Sequence, residues 1–200
     1  MKTIEINENQ ELLSFIKKDC ITRGFPIEGI NFIDIFPLMQ QCYPADIEAS
    51  GMKMESVVFL PEARGFLYYT WAKQFGSIIP CRKSGKLPGE LWEIVYEKEY
   101  GADKLYFQKA ALESAVRSAT KNGNVIEVSI FDDILATGGT MAALINAVNA
   151  MTVEVDGVAY NLKVKSVGCY IELTELPGRA LLEGLGVDVF TVYRLNTEEL

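Results

Sequence analysis

The stretch VIEVSIFDDILATGGT, residues 125–140, indicates the fold more directly than any other part of the chain. Its first part, Val125–Phe131, is rich in β-branched and aromatic residues and predicts a strand. Two neighbouring acids, Asp132 and Asp133, follow, and then a short turn with paired glycines leads toward a helix. Open α/β sheets bind ligands at this edge, where backbone N–H groups at a helix start can hold an anion. The turn suits a phosphate and the acids suit hydroxyl groups, although an acidic turn that only caps a helix is the alternative.

The remaining apolar segments predict a single α/β domain over residues 1–200. Strands alternate with helices, which is typical of a largely parallel, twisted sheet flanked by helices. The sequence TVEVDGVAY, residues 152–160, alternates around Asp156-Gly157 and predicts a β-hairpin. The other predicted strands are Val57–Leu60, Ser77–Cys81, Lys104–Phe107, Lys163–Leu173 and Val187–Tyr193. The predicted helices are Gln10–Ile21, which should end before Gly24, then Gly65–Phe75, an amphipathic helix whose apolar face is Leu144, Ile145, Val148 and Met151, and a short helix at Arg179–Glu183.

Composition excludes several classes of function. The net charge of −8 argues against a nucleic-acid-binding or anionic-membrane-binding protein, because such proteins are usually basic. With no histidine, a Ser–His–Asp site and a His-containing zinc site are excluded. The four cysteines are widely spaced and predict reduced thiols. The polar start MKTIEINENQ carries no secretion signal and no window is apolar enough for a membrane span, so we expect a cytoplasmic protein.

The segment 82–103 differs from its neighbours. Glycines and a proline punctuate a charged, aromatic-bearing stretch without a clear period, which predicts a flexible lid or binding loop. Its first residues include a local basic cluster, Arg82, Lys83 and Lys86, in an otherwise acidic protein. Such a cluster suits a polyanion, although most runs of charge are simply solvated.

Five motifs in the same order and spacing resemble the adenine phosphoribosyltransferase family, within the type I phosphoribosyltransferases. The segment DDILATGGT (132–140) resembles the motif for phosphoribosyl pyrophosphate (PRPP). The resemblance extends from about Gly29 to Arg194, and an ordered set is far more specific than one motif. The other four are EARGF (62–66), RKSGKLPGE (82–90), EKEYG (97–101) and IELTELPGR (171–179).

The resemblance implies roles for the residues that would bind PRPP. The acidic pair Asp132 and Asp133 would contact the ribose hydroxyls and also serve catalysis, so we expect both side chains to be exposed. The turn would hold the 5′-phosphate, mainly through backbone N–H groups. Four cations would face the pyrophosphate, some of them from a neighbouring subunit of a homodimer. The turn residues are Ala136, Thr137, Gly138, Gly139 and Thr140, and the cations are Arg64, Arg82, Lys83 and Lys86.

The resemblance also implies a base site and a cofactor. Glu99 and Tyr100 match catalytic lid residues, and a carboxylate there can steer the proton lost by the purine. Phe32 resembles the aromatic residue that stacks on the base, Leu173 would cover its other face, and backbone groups near Ile33 would read its edge. A small hood within residues 1–50 would carry part of this site. Mg²⁺ would bind through PRPP oxygens and water rather than directly to the protein.

Three features depart from the family pattern. Ile33 stands where the family usually has arginine, and the hairpin at 152–160 resembles an insertion. Leu60 and Pro61 stand where a glycine and an aliphatic residue are usual, just before EARGF, which resembles the family's pyrophosphate loop. The hairpin would either alter a subunit contact or decorate the surface. The implied activity is transfer of 5-phosphoribose from PRPP to adenine. Alternatives are transfer to a 6-oxopurine, a non-catalytic PRPP-sensing regulator, and a diverged binding protein with poor turnover.

Overall fold

The computed structural model describes residues 3–24, 28, 31–41, 45–62, 68–98 and 101–200. The strands are β1 (Ile4–Glu5), β2 (Ile21–Arg23), β3 (Asn31–Ile33), β4 (Val57–Pro61), β5 (Ser77–Cys81), β6 (Leu91–Lys98), β7 (Gly101–Gln108), β8 (Val125–Leu135), β9 (Thr152–Val155), β10 (Val158–Leu173) and β11 (Asp188–Leu195). The helices are α1 (Gln10–Phe15), α2 (Phe36–Gln41), α3 (Ala45–Ser50), α4 (Tyr69–Ala72), α5 (Lys109–Ser118), α6 (Gly139–Asn149) and α7 (Gly178–Gly184).

The central sheet has the strand order β1-β11-β10-β8-β4-β5, and all of these neighbours are parallel. The predicted largely parallel α/β fold is therefore confirmed. Strands β4 and β5 extend the sheet on one side of β8, and β10 and β11 extend it on the other. The chain therefore reverses its direction of winding between β4 and β8, where open α/β sheets bind ligands at the carboxyl ends of the strands.

Two apolar cores cover the two faces of this sheet. Because successive side chains of a strand point to opposite faces, Val57 and Phe59 enter one core, and Val58 and Leu60 enter the other. The first core contains the inner faces of α5 and α6 and the hairpin β9–β10. The second core contains buried residues from the amino-terminal 50 residues, so the segment predicted as a hood packs directly on the sheet.

The amino-terminal segment differs from its prediction in two respects. The predicted helix from Gln10 ends at Cys20, after α1 and a π-helical turn at Ile16–Cys20, and the chain does not remain helical up to Gly24. Ile21 instead begins β2, which pairs antiparallel with β3. In addition, β1, for which no strand was predicted, joins the edge of the central sheet beside β11.

The predicted flexible loop at 82–103 is wrong for about half of its length, which lies in strands. Strands β6 and β7 form an antiparallel hairpin over Leu91–Lys98 and Gly101–Gln108. One end of the hairpin packs in the core: Phe107 is fully buried, and its ring packs edge-on against Phe59 with centroids 5.3 Å apart. The part of this segment before Leu91 contains no helix or strand apart from a bridge between Arg82 and Tyr106, so its irregular part is about 83–90.

Strand β8 is longer than predicted and continues through the acids to Leu135. Ser129, a polar residue in the middle of this strand, is fully buried. Its hydroxyl lies 2.8 Å from the Ser166 hydroxyl and accepts a 2.7 Å bond from the Glu55 N–H. A hydroxyl whose hydrogen bonds are made inside the protein can be buried at little cost.

The predicted hairpin at 152–160 is confirmed as β9 and β10. Its turn residues Asp156 and Gly157 both have positive φ, 53° and 77°, as the tightest two-residue turn requires. The short helix α4 lies inside the predicted Gly65–Phe75, whose first residues lie outside the described ranges. In the described part of the chain, every helix is too short or too polar to span a bilayer.

Candidate functional site

The turn that joins β8 to α6 forms a small cavity at the carboxyl edge of the sheet. Gly138 has φ 80°, a left-handed conformation that favours glycine, and α6 begins at the next residue. The cavity has a volume of about 120 Å³. It is lined by Asp132, Ile134, Ala136, Thr137, Gly138, Gly139, Thr140 and Met141. All five residues predicted to hold a phosphate therefore line one cavity, together with one of the two predicted acids.

The two acids occupy different environments. Asp132 is partly exposed and lines the cavity, whereas Asp133 is only 6% exposed and is not among the cavity-lining residues. Burial alternates along 131–135 because β8 continues through this segment, and alternate side chains of a strand point to opposite faces. The expectation that both acids would be exposed is therefore wrong for Asp133. The Asp133 N–H donates to Asp132 Oδ1 over 2.9 Å, which fixes the orientation of the cavity-lining carboxylate.

The connection between β10 and α7 supports the turn from behind. A Cβ added to Gly178 would lie 2.2 Å from the Ala136 carbonyl oxygen and 2.8 Å from Leu135 Cδ1. On the other side of the contact, a Cβ on Gly138 would lie 3.1 Å from Gly178 Cα. The two backbones thus approach closely where each residue is glycine. Gly178 belongs to the quoted motif IELTELPGR, and it was not among the predicted site residues.

The predicted basic cluster begins where β5 ends, at the same edge of the sheet. Arg82 Nε lies 3.4 Å from Glu62 Oε2, and the Lys83 N–H donates to the same oxygen over 2.7 Å. The backbone bond from Lys83, followed by the Arg82 side chain, outweighs the effect of burial and lowers the pKa of the Glu62 carboxyl. Glu62, from the motif EARGF, therefore connects the ends of β4 and β5. Lys83 and Lys86 are exposed, and none of the three cations lines the cavity beneath the turn.

The predicted base-side residues lie apart from this cavity. Phe32 is half-buried on β3, and Leu173, at the end of β10, is partly buried against the second core. Ile33 is 3% exposed and its side chain belongs to that core, so this side chain does not face a base site. The predicted Arg64, Glu99 and Tyr100 lie outside the described residues.

Two thiols flank the cavity-lining acid. Cys169 pairs in register with Asp132 across β10 and β8, and Cys81 ends β5. Both are free, fully buried thiols, and burial together with the charge of Asp132 raises the pKa of each, so they remain protonated. The prediction of reduced thiols is confirmed for these two positions, and Cys42 lies outside the described residues.

A partly buried ion pair lies on the same connection as Gly178, with the Glu172 side chain 4% exposed and that of Arg179 28% exposed. Arg179 donates from Nε to Glu172 Oε1 over 2.7 Å and from Nη2 to Glu172 Oε2 over 2.5 Å. Burial alone would raise the pKa of the Glu172 carboxyl, but the hydrogen bonds and charge of Arg179 outweigh it and lower the pKa. Sequence reasoning missed this pair, although both residues stand in the quoted motif IELTELPGR.

Comparison with known proteins agrees with this geometry. No model of a protein family matches the sequence. An adenine phosphoribosyltransferase of Clostridium botulinum strain Loch Maree is 35% identical over 183 residues, covering 88% of this chain and 95% of that protein. The chain belongs to the adenine phosphoribosyltransferase family.

Solved structures of this family share the fold. The adenine phosphoribosyltransferase of Thermoanaerobacter pseudethanolicus aligns with a TM-score of 0.67 and 32% identity, covering 92% of this chain and 99% of that one. The enzyme of Saccharomyces cerevisiae, solved with an imino-altritol bisphosphate and adenine, aligns with a TM-score of 0.64 and 31% identity, covering 90% and 97%. The type I phosphoribosyltransferase fold expected from the motifs is confirmed.

Proposed function

We propose that this protein transfers 5-phosphoribose from PRPP to adenine, giving AMP and pyrophosphate. The observation that carries the proposal is the cavity of the β8–α6 turn, where a glycine-bearing anion site and the Asp132 carboxylate lie side by side in a member of this family. The turn offers backbone N–H groups and a helix start to a 5′-phosphate. Asp132 offers acceptor oxygens to ribose hydroxyls.

The reaction breaks the bond between ribose C1 and a pyrophosphate oxygen and forms a bond from C1 to a purine nitrogen. The electron pair of the broken bond leaves with pyrophosphate, and the purine nitrogen loses its proton. Positive charge develops on the ribose, so the nearby Asp132 carboxylate favours the transition state. Asp133 would act through its backbone N–H, which orients the Asp132 carboxylate, since its own side chain does not line the cavity.

The leaving group and the base would be handled by the other predicted residues. Arg64, Arg82, Lys83 and Lys86 would neutralise the pyrophosphate, with Glu62 fixing the start of the basic segment. Glu99 and Tyr100 would face the purine from the hairpin β6–β7, and Phe32 and Leu173 would enclose its ring. Because the Ile33 side chain is buried, recognition of adenine near β3 would use backbone groups.

The donor chemistry of the site fits Mg²⁺. The partly exposed Asp132 carboxylate lines the cavity, and magnesium prefers oxygen ligands while keeping several waters. Bound through PRPP oxygens and water, Mg²⁺ would supply neutralising charge to the leaving pyrophosphate. We also propose a cytoplasmic homodimer, since the family motifs imply pyrophosphate contacts from a neighbouring subunit.

The proposal is tested by incubating the purified protein with Mg²⁺ and PRPP and, in separate reactions, adenine, hypoxanthine, guanine and xanthine. We expect AMP and pyrophosphate from adenine alone. Asp132→Asn should lower kcat by about 100-fold while the melting temperature is kept, because it removes charge that matters most in the transition state. Product from hypoxanthine or guanine would support a 6-oxopurine enzyme instead. A PRPP-induced rise in melting temperature without product from any base would support a PRPP-sensing protein.

A further inference from the structure

We propose that Arg179, through its ion pair with Glu172, is a positioning residue for the phosphate-binding turn Ala136–Thr140. The inference rests on the proposed function, because it assigns the pair a role in binding PRPP. The ion pair does not line the cavity, so its effect on PRPP would pass through the backbone that lies between the ion pair and the turn.

The ion pair joins the end of β10 to the first turn of α7. Glu172 is buried, and both of its carboxylate oxygens accept from Arg179, in the paired geometry that makes arginine–carboxylate contacts specific. Thr191 on β11 donates to Glu172 Oε2 over 3.1 Å, and Arg194 Nε lies 3.4 Å from the same oxygen. Glu172 is thus surrounded by donors from β11 and α7.

Arg179 uses its other N–H groups on the same neighbours. Nη1 donates to the Val189 carbonyl over 3.2 Å and to Glu183 Oε1 over 3.1 Å, and Nη2 contacts the Thr191 hydroxyl over 3.3 Å. One planar guanidinium therefore attaches the start of α7 to both β10 and β11. Lysine has a single charged nitrogen and cannot reproduce this set of directions.

The residue attached in this way is next to the close contact with the turn. Gly178 precedes Arg179 in sequence and packs closely against the turn. A Cβ added to Gly138 would lie only 3.1 Å from the Gly178 Cα. A shift of Arg179 would move Gly178 relative to Ala136 and Gly138. Since phosphate is held by backbone N–H groups of the turn, small displacements of this backbone would weaken PRPP binding.

The other end of the same connection reaches the predicted base site. Glu172 is adjacent to Leu173, and the connector from Leu173 to Gly178 is held by a bond from the Thr174 N–H to the Leu195 carbonyl over 3.0 Å. Leu173 thus keeps an anchor that does not involve Arg179. We therefore expect loss of the ion pair to affect the phosphate side more than the base side.

The chain offers a matched control. Arg117 makes a similar paired contact with Asp156, with Nε and Nη2 at 3.0 and 3.2 Å from its oxygens. That pair is exposed and lies at the β9–β10 turn, beyond the pairing of Asn161 with Val125, where β8 begins. It is separated from the phosphate-binding turn by the length of β8, which is about 33 Å for a strand of this many residues. Arg117→Met breaks an arginine–carboxylate pair without approaching the site.

The test compares the wild type with Arg179→Met, Arg179→Lys, Glu172→Gln and Arg117→Met. For each we would measure kcat, the KM values for PRPP and adenine, the Kd for PRPP by calorimetry, and the melting temperature. We expect the KM and Kd for PRPP to rise by about tenfold or more in Arg179→Met, and the KM for adenine to change by less than about twofold. The KM and Kd for PRPP of Arg179→Lys and Glu172→Gln should lie between those of Arg179→Met and the wild type. The values of Arg117→Met should match the wild type.

A purely structural pair would give a different pattern. Arg179→Met would then lower the melting temperature and the yield of active protein, while the KM for PRPP would stay at the wild-type value. That result would overturn the inference, and KM is informative even for a partly folded preparation because it does not depend on enzyme concentration. Should Arg179→Met fail to fold, the lysine and Glu172→Gln variants decide by the same criterion. A wild type that forms no product with any base would overturn the proposed function, and the Kd for PRPP in the same variants would then decide this inference by itself.

Discussion

At the residue scale, Gly178 connects two segments that the sequence keeps far apart. Its missing side chain leaves room for the Ala136 carbonyl, which a Cβ would approach to 2.2 Å. The neighbouring carbonyl belongs to the backbone of the turn, so it cannot rotate away as the end of a flexible side chain would. The glycine is therefore required by packing, and not by an unusual φ.

Gly178→Ala is expected to raise the KM for PRPP by about tenfold, because the turn must move to make room for the methyl group. The overpacking should also lower the free energy of unfolding by about 1–3 kcal/mol. Gly184→Ala is the control in the same helix, since nothing lies within 4 Å of its added Cβ. It should leave kinetics unchanged and stabilise the helix by about 0.5–1 kcal/mol. Equal PRPP kinetics in the two variants would contradict the positional role of Gly178.

The residue chemistry of the turn could be predicted from the sequence, whereas the difference between its acids could not. Paired glycines after a strand indicated an anion site, and the structure places all five turn residues around one cavity. The prediction that the strand ends at Phe131 treated both acids as loop residues. Charged residues are rare in buried strand positions, so the pattern gave no signal that β8 continues through Asp133.

At the scale of elements, the hairpin β9–β10 forms part of the core. Val153 and Val155 are each 5% exposed and pack in the core that also includes the inner face of α5. Outside this apolar face, Arg117 on α5 pairs with Asp156 at the turn, and Lys121 lies 5.6 Å from the ring of Tyr160. Neither sequence-based interpretation of this segment, a subunit contact or surface decoration, included this role in covering the core.

Val155→Ala is expected to lower the free energy of unfolding by about 1.5 kcal/mol, since two buried methyl groups are lost. Kinetic parameters should not change, because the hairpin lies at the opposite end of β8 from the cavity. Glu154→Ala, at an exposed neighbouring position, is the control and should leave stability within about 0.5 kcal/mol of the wild type. Denaturant unfolding of both variants measures this, and an altered KM for PRPP in Val155→Ala would show that the hairpin affects the site.

The hairpin β6–β7 shows why a local pattern can fail. Hairpins are easiest to recognise when Asn-Gly or Asp-Gly lies between alternating strands, as Asp156-Gly157 does in the other hairpin. Here Lys98 pairs with Gly101, and the two residues between them in sequence are Glu99 and Tyr100. The strands are stabilised by distant contacts such as Phe107 on Phe59, which no short window of sequence contains.

At the scale of the whole molecule, the parallel sheet could be predicted from the sequence. Which segments of the chain cover each of its two faces could not. Alternation of strands and helices is a property of the sequence, and it indicates a doubly covered sheet. The assignment of the amino-terminal segment to the second core depends on which face each helix reaches. This arrangement leaves the carboxyl ends of β4, β5, β8 and β10 at one edge of the sheet, and Glu62, Arg82, the turn and Gly178 all follow strands that end there.

The pH dependence of stability is also a property of the whole molecule, to which individual carboxylates contribute with opposite signs. The pKa of Glu172 is lowered in the folded chain, so the unfolded chain takes up this proton more readily. Its stabilising contribution is complete above the ordinary glutamate pKa, about 4.3, and is lost as pH falls through the lower folded value. Burial and then the charge of Glu127 raise the pKa of Glu55, whose contribution is instead present at low pH and lost as pH rises through its folded value.

Glu172→Gln is therefore expected to flatten the decrease in the free energy of unfolding between about pH 6 and about pH 3. Glu93→Gln is the matched control: its Tyr106 and Lys104 contacts also lower its pKa, but its side chain is 43% exposed against 4% for Glu172. Solvent weakens interactions at such exposed groups, so the control should retain the wild-type slope. Denaturant unfolding at several pH values measures the three slopes. A Glu172→Gln curve parallel to the wild type would place the acid-sensitive interactions elsewhere, and the partly buried ion pair would then contribute little to the pH dependence of folding.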